Sequence, residues 1–275
     1  MKIFKSVEQF IKSKIEIKSF VPTMGNLHKG HLSLIDKAKK ISGPICVTIY
    51  VNEAQFTEKN DFEEYPVSLE NDIDNLRSKE VDYLLIPEKI DIEKFSKAFS
   101  KKYEPKNLTT DLCGKYRPGH FFAVIDIIYR FLQIINPKNI ILGEKDFQQL
   151  LCVQELIRIT NNKVNIISSP TIRTDEGLAL SSRNERLSDG EKLLANNIYQ
   201  TLITAKNLFD EGYSIDAITK KIYEIYNTSP IKLEYFSIRD LKTLQHTYDD
   251  DLIALIAVYI GKIRLIDNII IRSTP

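Results

Sequence analysis

Up to Gly177 the apolar positions alternate between strand-like and helix-like runs, and after Ser188 they follow a different order. Lys2 to Ser13 has the spacing of a short amphipathic helix, and Ile15 to Val21 is an apolar, β-leaning run. Leu32, Leu34, Ile35 and Ala38 recur at helical spacing within Leu32 to Lys40, and Gly43-Pro44 stops that helix. Ile45 to Val51 reads as a continuous apolar run, as in a strand buried on both faces of a parallel sheet. Ser68 to Lys79 predicts a helix with Leu69, Ile73 and Leu76 inward, and Val81 to Ile86 a third strand. Pro87 to Tyr103 is charged and helical in pattern, and Glu104 to Thr110 reads as a loop. A long helix over Phe122 to Ile135 ends at Asn136-Pro137. Asn139 to Leu142 is a short strand, Phe147 to Ile159 a helix and Val164 to Ser168 a fifth strand. This alternation predicts an α/β domain built on a parallel sheet.

From Ser188 onward the pattern is α+β. Ser188-Asp189-Gly190-Glu191 matches the S-x-x-E capping box and opens a helix reaching Glu211; Ser214 to Tyr226 is a second helix. Lys232 to Ile238 reads as a strand, and Leu252 to Tyr259 with Lys262 to Ile271 as a hairpin turning at Ile260-Gly261. A boundary between Gly177 and Ser188 gives two domains, residues 1–177 and 178–275.

Composition narrows the partners. The formal net charge is +1, which gives no electrostatic case for nucleic acid or a membrane surface. A phosphate site must therefore come from local geometry. Three separated cysteines, Cys46, Cys113 and Cys152, argue for a reducing compartment, with Cys46 in the core. Met1 to Phe10 has no signal-like apolar run, and no stretch is long and apolar enough to span a bilayer, so a cytoplasmic location is expected.

The chemistry concentrates where strands meet helices. Phe20-Val21-Pro22-Thr23-Met24-Gly25-Asn26-Leu27-His28-Lys29-Gly30-His31 joins a strand to a helix through two glycines and an H-x-x-H pair. His28 and His31 share a face of the first turn. A helix start offers N–H groups and partial positive charge to an anion. Alone, the pair could equally be surface histidines. It has no further ligands at zinc-like spacing, and neither G-x-G-x-x-G nor a Walker A loop occurs. In its strand–Gly–helix setting it reads as an HxGH-type adenylyl-transfer turn.

Asn52 and Gln55 follow the second strand, where open α/β sheets bind polar ligands; a plain amide-capped loop is the alternative. Gly143-Glu144-Lys145-Asp146 is a second strand–turn–helix corner, in which Lys145 can serve as a point charge for phosphate. Asp146 either accepts from a ribose or base or caps the helix. Leu180-Ser181-Ser182-Arg183-Asn184 can wrap a polyphosphate or simply start a helix. His120 lies in another glycine-bearing loop, and His246 in a polar, solvated segment.

Five blocks together carry a resemblance: Pro22 to His31, Val51 to Phe56, Arg117 to Phe121, Gly143 to Leu150 and Leu180 to Asn184. In this order they resemble the pantothenate synthetase (pantoate–β-alanine ligase) family. The resemblance implies a Rossmann-like, HUP-type N-terminal domain, a smaller C-terminal lid domain and a homodimer. It implies a two-step ligation: ATP and pantoate give pantoyl adenylate and pyrophosphate, then β-alanine gives pantothenate and AMP, with Mg2+ accompanying ATP. By the same resemblance Met24, Gly25, Asn26, Leu27, His28, Lys29, Gly30 and His31 line the ATP site. Gly143, Glu144, Lys145, Asp146, Ile172, Leu180, Ser181, Ser182 and Arg183 join them. His28, His31 and Lys145 are the catalytic set, and Gln55, Gln149, Asn52 and His120 serve pantoate and β-alanine.

Four positions depart from the family pattern: Glu53 for proline, Val67 for arginine, Asn71 within an acidic pair and Leu180 for methionine. The Asn71 change leaves Asp72 as the remaining acidic candidate near magnesium. Two other classes fit parts of the pattern. A nucleotidyltransferase of the same superfold would release a nucleotidyl product rather than AMP. An RNA-binding module would need the basic–aromatic stripe that this chain lacks.

Overall fold

A computed structural model describes residues 1–248 and 251–272. In chain order the elements are β1 (Lys2–Phe4), α1 (Val7–Lys12), β2 (Ser19–Thr23), α2 (Lys29–Lys39), β3 (Ile45–Ile49), α3 (Lys59–Glu63), α4 (Leu69–Ser78) and β4 (Tyr83–Leu85). They continue with α5 (Lys89–Phe95), α6 (Lys106–Thr109), α7 (Cys113–Tyr116), α8 (His120–Ile135), β5 (Asn139–Gly143), α9 (Phe147–Ile159) and β6 (Asn165–Ser169). The last are α10 (Asp189–Asp210), α11 (Ile215–Asn227), β7 (Lys232–Asp240), β8 (Leu252–Ile260) and β9 (Ile263–Arg272).

Contacts divide the chain into two compact units, one of residues 1–144 with 149–170, the other of 145–148 with 171–275. The first holds a six-stranded parallel sheet in the order β1-β4-β3-β2-β5-β6. β3 is buried at every position, Thr48 included, as its mostly apolar run requires. Val21, Ile35, Ala38, Val47, Leu76, Leu84 and Ile141 pack into one core between the sheet and its helices. The expected α/β alternation is present.

Strand order reverses between β2 and β5, which is where open parallel sheets bind ligands. The backbone opens a crevice there. β2 pairs with β3 through Thr23, but with β5 only at Ser19 and Phe20. Pro22 falls on the β5 side of the alternation and has no N–H to extend that ladder. The carboxyl ends of β2 and β5 therefore part.

The second unit packs α10 on β8 and β9, and α11 on β7, of a three-stranded antiparallel sheet. The capping box is formed: the Ser188 N–H donates to Glu191 Oε2 at 2.9 Å, and the Glu191 N–H donates to Ser188 Oγ at 3.3 Å. The Ser188 N–H and the Ser188 hydroxyl, which also donates to Glu191 Oε2 at 2.9 Å, hold the Glu191 carboxyl below its ordinary pKa.

Some elements differ from expectation. Lys2 to Ser13 is not one helix: its first residues form the edge strand β1 on β4, too short to show a period. The Ile15 run becomes β2 only from Ser19, where β3 and β5 lie alongside. The helix expected over Pro87 to Tyr103 stops at Phe95. Ser96 is extended, and its hydroxyl donates to the Ile92 carbonyl in place of a helical N–H. The expected loop before Asp111 contains the single turn α6. Among the described residues no helix is long and apolar enough to cross a membrane. All three cysteines are buried and none is in a disulfide, and burial pushes the Cys46 thiol up and the Cys152 thiol up to about 12.

Candidate active site

The turn after β2 is built around an anion of its own. Gly25 (φ +87°) and Asn26 (φ +49°) both take left-handed backbone, which glycine and asparagine tolerate. The N–H groups of Asn26 and Leu27 then converge on the Asp72 carboxylate at 2.8 and 2.7 Å. Ser68 Oγ adds a third donor at 3.1 Å. A Cβ on Gly25 would sit 3.0 Å from Asp72 Oδ2, so glycine is needed for space as well as for φ. Asp72 is 1% exposed and reaches the turn from α4.

This geometry changes the role expected of Asp72. Its oxygens face the turn's own N–H groups, and among the described residues no group of three or more His, Cys, Asp or Glu could hold a metal. The described residues thus offer magnesium no all-protein cage. Asp72→Asn is expected to remove about 1–3 kcal/mol of stability, because one buried N–H would face an amide NH2. Urea unfolding should show a lower midpoint at an unchanged m-value.

The start of α2 is likewise closed on itself. His28 is the N-cap, and its Nδ1 accepts from the Gly30 N–H at 3.1 Å. His31 Nδ1 accepts from the His28 N–H at 3.4 Å. The two rings lie 4.0 Å apart between centroids. The expectation of bare helix N–H groups facing a phosphate is thus corrected at Gly30 and His28, whose donors are taken by imidazoles. A ring nitrogen that accepts from an N–H carries no proton, so each neutral ring holds its proton on Nε2. The turn presents its donor capacity through two imidazoles.

A second cluster surrounds Gln55. Asn52 Nδ2 donates to Gln55 Oε1 at 3.1 Å, which fixes the amide's sense. Gln55 Nε2 then donates to Met24 Sδ at 3.0 Å. A thioether is a weak acceptor, so this N–H gains from exchanging it for a carboxylate. Asn52 is itself anchored to the Ala123 carbonyl at 3.3 Å.

The Gln55 carbonyl accepts from Arg117 Nη2 at 3.1 Å and from His120 Nδ1 at 2.7 Å. Arg117 Nη1 lies 3.1 Å from His120 Nε2. The partners set the tautomer: a carbonyl can only accept and a guanidinium only donate, so His120 is protonated on Nδ1. His120, 7% exposed, therefore stands behind Gln55 rather than beside it. Arg117 was not expected here, although it lies in the same R-P-G-H block. Glu53, Val67 and Asn71, three of the departures from the family pattern, are all exposed.

β5 ends at Gly143, and the Glu144 carboxylate accepts from Ser168 Oγ on β6 at 2.6 Å. Gln149 follows on α9, partly buried. In the second unit, Lys145 Nζ lies 3.9 Å from Asp146 Oδ1. Ile172 and Leu180 are brought together, since the Ile172 carbonyl accepts from the Leu180 N–H at 2.9 Å. Ser181 caps a 3-10 turn over Ser182–Arg186, its Oγ accepting from the Arg183 N–H at 3.3 Å.

Comparison with known proteins gives a consistent result. Residues 2–270 match the family described as Pantoate-beta-alanine ligase. A pantothenate synthetase from Marinomonas is 39% identical over 253 residues, spanning 91% of this chain and 90% of its own length. One from Thermosipho africanus is 36% identical over 280 residues, spanning 98% of this chain and all (100%) of its own. Among solved structures, pantothenate synthetase from Thermus thermophilus aligns at TM-score 0.91 and 30% identity, covering 98% of this chain and 99% of that one. Pantoate-beta-alanine ligase from Francisella tularensis, complexed with beta-gamma ATP and β-alanine, aligns at 0.81 and 36% identity, covering 100% and 99%.

Proposed function

The chain belongs to the pantoate–β-alanine ligase family, which makes it an ATP-dependent, pantothenate-forming ligase, and on that premise we propose how its residues divide the work. The pantoate carboxylate attacks the α-phosphorus of ATP, and pyrophosphate leaves. The β-alanine amine then attacks the acyl carbon of the pantoyl adenylate, and AMP leaves. Charge grows on the departing pyrophosphate oxygens in the first step, so preorganised donors and cations are what lower its barrier. His28 and His31 supply Nε2 donors and Lys145 a positive charge. The remaining residues of the two corners, with Ile172 and Leu180 to Arg183, line the ATP site.

The observation that carries this reading is the paired imidazole start of α2, whose Nδ1 atoms are both acceptors, at the switch point of the sheet. With the N–H groups of Asn26, Leu27, His28 and Gly30 already taken within the turn, the two imidazoles are the donors proposed to meet the phosphates. Gln55, with its N–H on a thioether, receives a carboxylate, that of pantoate first and of β-alanine after. Gln149 orients pantoate from the start of α9. Both are amides, so neither competes with the substrate as a nucleophile. Residues 178–275 act as the lid that keeps water from the anhydride.

His120 and Arg117 hold Gln55 in place. His120→Ala is expected to raise the KM for pantoate roughly 3- to 10-fold, the worth of about one net hydrogen bond. His120→Asn, whose amide nitrogen stands near the Nδ1 position, should restore most of it. Equal KM values for the two variants would remove this role.

Mg2+ accompanies the nucleotide rather than a protein cage. The enzyme works as a homodimer in the cytoplasm, an expectation that light scattering after gel filtration tests for assembly. The deciding assay follows AMP during incubation with ATP, Mg2+ and pantoate, with and without β-alanine. AMP release only when β-alanine is added alongside pantoate, together with ATP–pyrophosphate exchange dependent on pantoate alone, is expected. A nucleotidyl product in place of AMP would overturn the assignment.

A further inference from the structure

The C-terminal hairpin is tied to the Lys145 turn through a buried amide. Asn268 on β9 donates from Nδ2 to the Lys145 carbonyl at 2.9 Å. Asn268 is 8% exposed, and its own peptide is gripped on both sides. Its N–H donates to Asp267 Oδ1 at 2.8 Å, and its carbonyl accepts from Arg173 Nη2 at 3.2 Å.

The grip has an ion pair at its centre. Asp267 is 4% exposed and takes both terminal nitrogens of Arg173, at 2.5 and 2.8 Å. Arg173 also donates to the Gly177 carbonyl at 3.1 Å and lies 3.9 Å from the centroid of the Tyr199 ring on α10. Gly177 has φ +98°, and a Cβ there would come within 2.4 Å of Tyr199, so the stack requires glycine. Successive residues of a strand face opposite ways. Asp267 accordingly joins Arg173 and Tyr199 on the helix-covered side, while Asn268 reaches Lys145 on the other.

We propose that the Asp267-Asn268 step is a positioning device for Lys145. A lysine side chain is flexible and delivers its charge to a defined point only when its root is fixed. The root of Lys145 lies in a 3-10 turn, Glu144–Asp146, and Asn268 clamps the carbonyl in the middle of it. The Arg173 pair fixes the peptide that carries Asn268, so the clamp does not drift. Asn268 is then a positioning residue for adenylation, acting through Lys145 without touching a substrate. The proposal rests on the reading of Lys145 as the cation for the triphosphate.

A double-mutant cycle on the full-length enzyme tests it, with pantoate-dependent ATP–pyrophosphate exchange as the readout. Asn268→Ala removes the donor. Asn268→Asp keeps the side-chain volume but turns an acceptor toward the carbonyl, which guards against a packing effect. Either change alone is expected to slow exchange about 10- to 100-fold, as a displacement on the order of 1 Å does. In the Lys145→Ala background neither should slow it further by more than about twofold. Equal losses with and without Lys145, or full activity of both single variants, would overturn the proposal. If Lys145→Ala alone exchanged at the parent rate, the reading of Lys145 would fall, and the positioning role with it.

Discussion

Lys145→Ala is expected to slow ATP–pyrophosphate exchange by about 10²- to 10³-fold, the usual consequence of losing one preorganised group at a developing charge. Lys145 follows β5 in the chain, and its ion-pair partner among the described residues is Asp146 at a loose 3.9 Å. So distant a partner does little to neutralise it. The loss should fall mainly on the adenylation step. Single-turnover attack of β-alanine on preformed pantoyl adenylate should change far less, since no pyrophosphate leaves there. Lys145→Arg keeps the charge but spreads it over a planar fork, so an intermediate rate is expected. Exchange within threefold of the parent after Lys145→Ala would exclude this residue from the chemistry.

The second large effect is expected at His31. His31→Ala removes both the Nε2 donor and the acceptor that closes the turn onto the His28 N–H. Adenylation should slow about 10²-fold or more, with a smaller effect on pantoate binding. Two further substitutions separate chemistry from folding. Asparagine can place an oxygen near the Nδ1 position but has nothing at Nε2, so His31→Asn should keep thermal stability and lose rate. Glutamine reaches the Nε2 position with an N–H, so His31→Gln should recover part of the rate. Equal rates for the two, at equal melting temperature, would assign His31 to the turn alone.

The division between alternating and α+β halves was readable because long periodic runs report burial directly. Ile45 to Ile49 is apolar but for Thr48 because it has a strand on each side and is buried at every position. β1 left no such trace, since three residues at a sheet edge bury only Phe4 fully. The Pro87 to Tyr103 run misled because its helical spacing continued past Ser96, where a local hydroxyl bond ended the helix.

Of the candidate site residues, His28, His31, Gln55 and Lys145 could be named from the sequence alone, as residue types at strand ends. Their supports could not. Asp72 lies 46 positions from the N–H it holds, and Asn268 lies 123 positions from the carbonyl it clamps. No spacing within one element marks such pairs, which only the fold brings together. Arg117 had a fainter signal, three positions before the histidine it contacts.

The carboxylate under the β2–α2 turn has a bearing on how the enzyme meets its nucleotide. A glycine-rich loop that waits for phosphate to organise it surrenders chain entropy at the moment of capture and binds more weakly for it. Here the ordering was completed during folding, with a side chain as the permanent guest. The nucleotide should therefore encounter a rigid contour, and its association should proceed in one kinetic phase without a slow loop rearrangement.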